Sequence, residues 1–388
     1  MKYIYISCYL PEKYLKKYVQ MKKVNLAAQK YHRLMIEGLI NNNTNISCIS
    51  LIPINRLNCD KKIIVCDQYD DGRYIVPTMI NLPVLKQISM LISCMNILLK
   101  ESRKNKINII LDGLNITAGI SAISLRKLIK AKCLAIITDM PNCLADNSVQ
   151  MIRKFNQYVL KKFDYYVFLT KYMNNQIHAP KNRFVVLEGQ IDTSGQDTNF
   201  IKHKERKIIL YSGSIHVIYG IKNLVEGFID ASLEDCELHI YGDGDYANEL
   251  REIANNLKRI KYFGVVSNDV IIEKQKEAYL LVNPRPVGNE YTLYSFPSKN
   301  LEYMNSGTAM ITTKLPGIPE EYMKYIFLFP DDSVDGIKKG LEKVINMPRY
   351  SVESMGKEAQ MFVRKEKNKE NQAMKMIALF DKKDWLVR

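Results

Sequence analysis

The residues best suited to handle a phosphate stand close together in the chain. Arg285 ends the run Asn283-Pro284-Arg285, directly after the apolar stretch 279–282. Lys299 and Glu302 follow in SFPSKNLEYMNSG, where Ser295-Phe296-Pro297-Ser298 starts a helix with proline in its first turn and Ser306-Gly307 is a stop signal. An arginine at a strand end and a lysine at a helix start place cations and donors where a phosphate would sit. Glu302, one turn into the helix, can accept both hydroxyls of a ribose. Glu290 lies in the irregular loop between them. Earlier in the chain, Gly213 and Ser214 follow the apolar run 207–211. Small residues there let backbone N–H groups and a helix N-terminus approach an anion. In the first half, Asp139 in Thr138-Asp139-Met140-Pro141 also stands at a strand end. Singly, each of these residues fits an ordinary surface or turn role. Their joint placement at strand ends and helix starts is the signal.

Two further motifs invite chemistry. Gly242, Gly244 and Ala247 satisfy the G-x-G-x-x-A pattern after a strand, formally a dinucleotide fingerprint. The unit is second in its half, and the next strand ends at Phe263-Gly264 with no ribose-binding acid. Asp243 and Asp245 match a D-x-D metal motif, yet they also suit the turn that opens a helix. The five histidines are scattered and offer no metal-ligand spacing, and no catalytic His-Asp or Ser-His pair is recognisable. His216, just after the Gly213 turn, can touch a phosphate or be a plain loop residue.

These residues need a frame of strands and helices. In the first half, short apolar runs at 3–8, 46–52, 107–111, 133–138 and 165–169 read as buried strands. Amphipathic stretches at 23–40, 82–101, 116–130 and 149–162 separate them. The second half repeats the pattern, with strands at 207–211, 238–241, 260–263, 279–282, 309–312 and 326–329, and helices at 352–365 and 371–380 near the end. Such alternation predicts an α/β protein with two parallel sheets, each covered by helices on both faces. The polar segment 189–204 has no periodicity and reads as a linker. The expected domains are 1–195, 196–370, and a C-terminal helical segment 371–388 that can cross back to the first.

The chain has 388 residues and 47% apolar content, enough for a sizeable core in two or three domains. Its 56 Lys+Arg exceed 41 Asp+Glu, a net charge of +15. Of that excess, +14 falls in residues 1–200 and +1 in 201–388. An anionic partner is therefore expected for the first half alone. Basic clusters include Lys13-Lys16-Lys17, Lys22-Lys23, Arg103-Lys104-Lys106, Arg126-Lys127-Lys130, Arg153-Lys154 and Lys161-Lys162. No reading helix or stacking platform accompanies them, so nucleic acid is not the expected partner. An anionic membrane surface is. The longest apolar run, 87–99, is too short to cross a bilayer and reads as a buried helix. The N-terminus lacks a signal-peptide pattern, so a cytoplasmic location is expected. Eight cysteines without CxxC spacing should be reduced and mostly buried.

The ordered series Gly213-Ser214, Tyr219-Gly220-Ile221, YGDGD, Phe263-Gly264, LLVNPR, SFPSKNLEYMNSG and LPGIPEEY resembles the nucleotide-sugar half of the family 4 retaining glycosyltransferases, of the bacterial surface-polysaccharide type. Weaker echoes, TDMP and Leu187-Glu188-Gly189 among them, extend it over the first half. The resemblance implies a GT-B fold, two Rossmann-like domains facing across a cleft that closes over the donor. It implies transfer of a sugar from a nucleoside-diphosphate sugar, UDP-linked, to a hydroxyl of a glycan or lipid-linked acceptor, with retention and no required metal or other cofactor. The setting would be cell-surface polysaccharide or capsule synthesis, at the inner face of the membrane. Glu302 matches the family's ribose-binding glutamate. The family's other glutamate, eight residues earlier, corresponds to Tyr294, so Glu290 is the candidate for the donor-sugar role. The family's first-turn Arg and Lys correspond to Ser214 and Tyr219, which leaves Arg285 and Lys299 to hold the diphosphate. Gly242 belongs to the donor-binding turn, and Gly264 and Val265 resemble the stretch framing the base. Asp139 stands where family members often carry a histidine near the donor sugar. Three alternatives share some of these features: a GT-B nucleotide-sugar epimerase, an NAD-dependent oxidoreductase built on the glycine motif, and a non-catalytic sugar-nucleotide or membrane-binding scaffold.

Overall fold

Each apolar run read above as a strand is one in the computed structural model, which describes residues 1–20, 24–55, 57–140, 150–193, 207–288 and 290–381. The chain forms two units. The first is Met1–Gln190 with Lys369–Arg388, and the second is Ile191–Asn368. The Lys22-Lys23 cluster, Pro141, Cys143 and the linker from 194 onward lie outside the described residues.

In the first unit, β1 (Lys2–Ser7), β2 (Ile46–Ser50), β3 (Ile63–Ile64), β4 (Asp67–Tyr69), β5 (Tyr74–Val76), β6 (Met79–Ile80), β7 (Ile107–Asp112), β8 (Cys133–Ile137), β9 (Tyr165–Phe168) and β10 (Phe184–Val186) follow in chain order. The main sheet runs β10-β9-β8-β7-β1-β2-β5-β4. It is parallel except for β4, which pairs antiparallel with β5. β3 and β6 make a separate antiparallel pair. β1 lies between β2 and β7, so the strand order reverses there. Its residues Ile4, Tyr5 and Ile6 are fully buried, as an inner strand covered on both faces requires.

The helix Leu85–Lys104 corrects one expectation. It is not buried all round. Only Met90, Cys94 and Leu98 are buried, while Ile88 and Ile92 are 49% and 52% exposed. Spacing of four residues places the buried three in one stripe, so the other apolar residues of the run face elsewhere. The C-terminal helix Lys369–Asp381 lies against the helix Leu26–Asn41. A Cβ on Gly38 would stand 2.1 Å from the Lys369 carbonyl, so only glycine permits that approach. Phe380 meets the rings of Tyr3 and Tyr165 edge-on, each at 5.4 Å.

In the second unit the strands are β11 (Lys207–Ser212), β12 (Cys236–Tyr241), β13 (Ile260–Tyr262), β14 (Leu280–Asn283), β15 (Met310–Thr312) and β16 (Phe327–Leu328). They form one parallel sheet in the order β13-β12-β11-β14-β15-β16. Counted within the unit, this is the doubly wound order 3-2-1-4-5-6. The residues of β11 alternate between two cores. Ile209 and Tyr211 join Leu224, Phe228, Ile337 and Leu341 on one face. Ile208 and Leu210 join Leu301, Met304, Phe362 and Val363 on the other. Burying each such side chain contributes about 1.5–3 kcal/mol. Among the described residues, six cysteines are buried or partly buried and Cys66 is exposed. No described helix is long and apolar enough to cross a membrane.

Candidate active site

In an open α/β sheet, ligands bind beyond the carboxyl ends of the strands where the strand order reverses. In the second unit that point lies between β11 and β14. β11 delivers Gly213 and Ser214; β14 delivers Pro284 and Arg285. The neighbouring strand ends are stitched together by backbone hydrogen bonds. Gly213 N donates to the Tyr241 carbonyl at 2.9 Å, and Gly242 N donates to the Gly264 carbonyl at 2.8 Å. A Cβ on Gly242 would stand 1.8 Å from the Gly213 carbonyl oxygen, and one on Gly244 would stand 2.1 Å from the Ile215 carbonyl oxygen. The open sides of both glycines are therefore filled by the protein's own backbone. A dinucleotide needs that space for its pyrophosphate, so the glycine pattern here serves packing. Gly242 supports the turn and does not itself face an open space.

The cations converge on the same point. The Arg285 guanidinium lies over the Tyr219 ring at 4.8 Å and over the Tyr291 ring at 5.7 Å. The Arg285 carbonyl accepts from the Thr313 hydroxyl, which anchors its backbone. Gly220, at φ +80°, lets the Tyr219 turn close on β14, since a Cβ would meet the Pro284 oxygen at 2.1 Å. Lys299 arrives from the helix Ser298–Ser306, whose N-cap is Pro297 with no side-chain cap. Its Cε lies 3.4 Å from where a Gly213 Cβ would be. That helix is tied down by two buried groups. Tyr303 accepts the Ser212 N–H at 2.9 Å, and Asn300 Oδ1 accepts from Asn283 Nδ2 at 2.7 Å. Burial pushes the Tyr303 hydroxyl up, with Glu302 adding to the effect, so it stays a neutral partner. Gly213, Ser214, Arg285, Ser298, Lys299 and Glu302 are thus carried by the two strand ends and the helix start of one switch point. The bare N-terminus of the helix adds a third donor group for an anion. Proline caps this helix and does not enter its first turn.

The remaining residues sit around this centre. Glu290 is exposed and is the N-cap of the short helix Tyr291–Tyr294. Gly264 has φ +67° and nothing within 4 Å of a Cβ, and Val265 beside it is 74% exposed. This strand end is open to a flat ligand. Asp245 accepts from Val217 N at 3.0 Å and pairs with His216 at 3.1 Å. That backbone N–H first, and His216 second, hold its carboxyl below the usual range. It is a turn acid. Among the described residues, the only group with metal-ligating geometry excludes the Asp243-Asp245 pair.

Asp139 belongs to the first unit, after β8, and is exposed. Partial desolvation, then the nearby Asp112, raise its carboxyl above the ordinary value. The sequence reading missed Asp112, and it missed Tyr219 and Tyr291 as the rings that hold Arg285. Tyr219 stood at a recognisable turn and Asp112 directly after the apolar run 107–111, whereas Tyr291 carried no local signal.

Residues 206–347 match a family model described as glycosyl transferases group 1. No curated protein matches the chain significantly. Several solved structures are similar across almost its whole length. The apo lipopolysaccharide outer core galactosyltransferase WaaB shares 13% identity over 98% of this chain and 99% of that one, with a TM-score of 0.66. Sucrose-phosphate synthase from Thermosynechococcus elongatus shares 14% over 98% of each chain, with a TM-score of 0.67. Anabaena HepE, in complex with UDP and glucose, shares 10% over 98% of this chain and 100% of that one, with a TM-score of 0.61. The likeness shows the fold: two Rossmann-like domains of the GT-B glycosyltransferase type.

Proposed function

We propose that the protein is a retaining glycosyltransferase of the family 4 type, which moves a sugar from a UDP-linked donor to a hydroxyl of a glycan or lipid-linked acceptor. The observation that carries this reading is the meeting of Arg285, Lys299 and Gly213 at the switch point of a sheet that matches the group 1 transferase model. Arg285 rests on Tyr219, a position where the resemblance leads one to expect a cation. The guanidinium thus supplies from β14 the charge that the first turn lacks. HepE, with the same fold, has been solved with UDP and glucose.

Glycosyl transfer passes through an oxocarbenium-like state while the departing diphosphate gains charge. Arg285, Lys299, the Gly213–Ser214 backbone and the helix start at Ser298 would hold that charge in place before it develops. Glu302 would take the ribose hydroxyls, Gly264 and Val265 would frame the base, and Glu290 would reach the donor sugar. These cations can neutralise the leaving group, so the step needs no metal at the donor site. Asp139, in the first unit, would be the candidate for the role that the resemblance gives a histidine near the donor sugar. The basic first unit supports a peripheral position on the inner face of the membrane, in surface-polysaccharide synthesis. Helix Gln150–Leu160 exposes Met151, Phe155 and Tyr158 beside Arg153 and Lys154, an apolar face with a cationic border.

Thermal shift against a panel of nucleoside-diphosphate sugars tests the donor. A UDP-sugar should raise Tm, and NAD should not. A rise with NAD alone would overturn the reading.

A further inference from the structure

In the first unit, three side chains from three separate elements converge beyond the carboxyl ends of β1 and β7. Cys8 follows β1, Asp112 ends β7, and His32 lies on the helix Leu26–Asn41. The thiol sulfur, a ring nitrogen and a carboxylate oxygen all lie within 4.8 Å of one another. His32 is 2% exposed, with its Nε2 3.5 Å from Asp112 Oδ2. The strand order reverses at this point, so it is a place where such a sheet binds a ligand.

We propose that Cys8, His32 and Asp112 bind one zinc ion, with a fourth position left for water or a substrate oxygen. One sulfur, one imidazole nitrogen and one carboxylate oxygen form a donor set suited to zinc rather than to magnesium or calcium. Tetrahedral bonds of about 2.0–2.3 Å place ligand atoms roughly 3.3–3.7 Å apart. The His32–Asp112 separation already falls in that range. The Cys8 sulfur, within 4.8 Å of both, must come to about 3.7 Å or less to join them. On binding, the Cys8 S–H bond breaks, a zinc–sulfur bond forms, and the proton leaves to solvent. Thiolate and carboxylate together then cancel the charge of the dication, which a largely buried site requires.

The surrounding contacts orient each ligand. The Tyr5 hydroxyl lies 2.9 Å from His32 Nδ1, which leaves Nε2 turned to the ion. Leu114 N donates to Asp112 Oδ1 at 3.1 Å, which leaves Oδ2 free to coordinate. Gln29, one turn before His32 on the same helix, donates to the Cys8 carbonyl at 2.7 Å and fixes the loop that carries the thiol. Supports of this kind are what metal ligands need to hold their orientation. The Tyr31 ring meets the His32 ring edge-on at 5.5 Å, and its buried hydroxyl has no hydrogen-bond partner.

The test uses the full chain, stripped with chelator and titrated with cobalt(II), a spectroscopic substitute for zinc. One equivalent should produce a thiolate-to-cobalt charge-transfer band, and zinc should bleach it. Cys8→Ser should remove the band, and His32→Gln should weaken cobalt binding at least tenfold. Cys66→Ser, at an exposed thiol, should leave the band unchanged. Circular dichroism checks that each variant is folded. Absence of the band in the unmutated protein, or its survival in Cys8→Ser, would overturn the proposal. The site does not depend on the transferase reading, and the nucleotide-sugar panel reports on that reading separately.

Discussion

On the proposed reading, Arg285 is the residue on which leaving-group stabilisation turns, because its guanidinium lies over the Tyr219 and Tyr291 rings at the switch point. Loss of one preorganised donor to a developing anion costs roughly 10²–10³ in turnover, or about 3–4 kcal/mol. Arg285→Ala should therefore lower kcat about that much while leaving nucleotide affinity less affected. Glu302→Ala should do the reverse: nucleotide affinity should fall about tenfold or more as ribose hydrogen bonds to a charged group are lost. Calorimetry with UDP and steady-state kinetics separate the two. Equal affinity in Glu302→Ala would remove the ribose assignment. Asp245 offers a test of pH dependence. Its folded-state pKa is lowered, so its contribution is fully present above the ordinary carboxylate value and is lost as pH falls from there through the lowered folded-state value. Asp245→Asn should be modestly less stable at neutral pH, and the gap in Tm should close as pH falls below about 4. The residues proposed to hold the donor were readable as candidates because each stands beside a strand or helix boundary that sequence pattern marks. Cys8 and Asp112 stand at strand ends too, but their convergence with His32 was not readable. Positions so far apart come together only through the order in which β1 and β7 pair, and no spacing rule records that.

At the scale of the element, the glycine turns decide the shape of the carboxyl edge of the second unit's sheet. Gly242 and Gly264 both have positive φ, yet they should respond differently to substitution. At Gly242 a Cβ would collide with the Gly213 carbonyl oxygen at 1.8 Å, and backbone cannot move aside as a side chain can. Gly242→Ala should cost about 3 kcal/mol or more. At Gly264 nothing lies within 4 Å, so Gly264→Ala should cost only the left-handed backbone penalty, about 1–2 kcal/mol. Urea midpoints measure both, and a Gly242→Ala midpoint equal to that of Gly264→Ala would sink the packing account. The central strands were legible because buried parallel strands are continuous apolar runs. The stretch 53–81 was not, because β3 to β6 have only two or three residues each and show no period. The helix Leu85–Lys104 was misread as buried for a related reason: an apolar run has the same composition whether one stripe or the whole circumference packs.

At the scale of the whole molecule, charge and shape of surface act together. The excess of +14 over residues 1–200 was fully legible, since counting needs no structure. What it meets depends on where those charges stand. In the helix Gln150–Leu160, Met151 and Phe155 are 74% and 50% exposed, beside Arg153 and Lys154. A cationic face alone binds anionic lipid by a force that decays over roughly 8 Å in physiological salt. An apolar face alone binds any lipid and ignores salt. A surface with both should bind anionic vesicles strongly at low salt and keep a weaker, salt-resistant remainder. Each cation near the surface contributes about 1 kcal/mol, so a double Arg153→Glu, Lys154→Glu variant should lose well over tenfold in affinity for such vesicles. Phe155→Ser with Met151→Ser should lose the salt-resistant part and retain the salt-sensitive one. Sedimentation with vesicles of phosphatidylglycerol, and with neutral phosphatidylcholine as the comparison, separates the contributions. Equal retention on both lipids at all salt concentrations would show that the charge asymmetry serves something other than a membrane, and would leave a free phosphorylated acceptor as its reason.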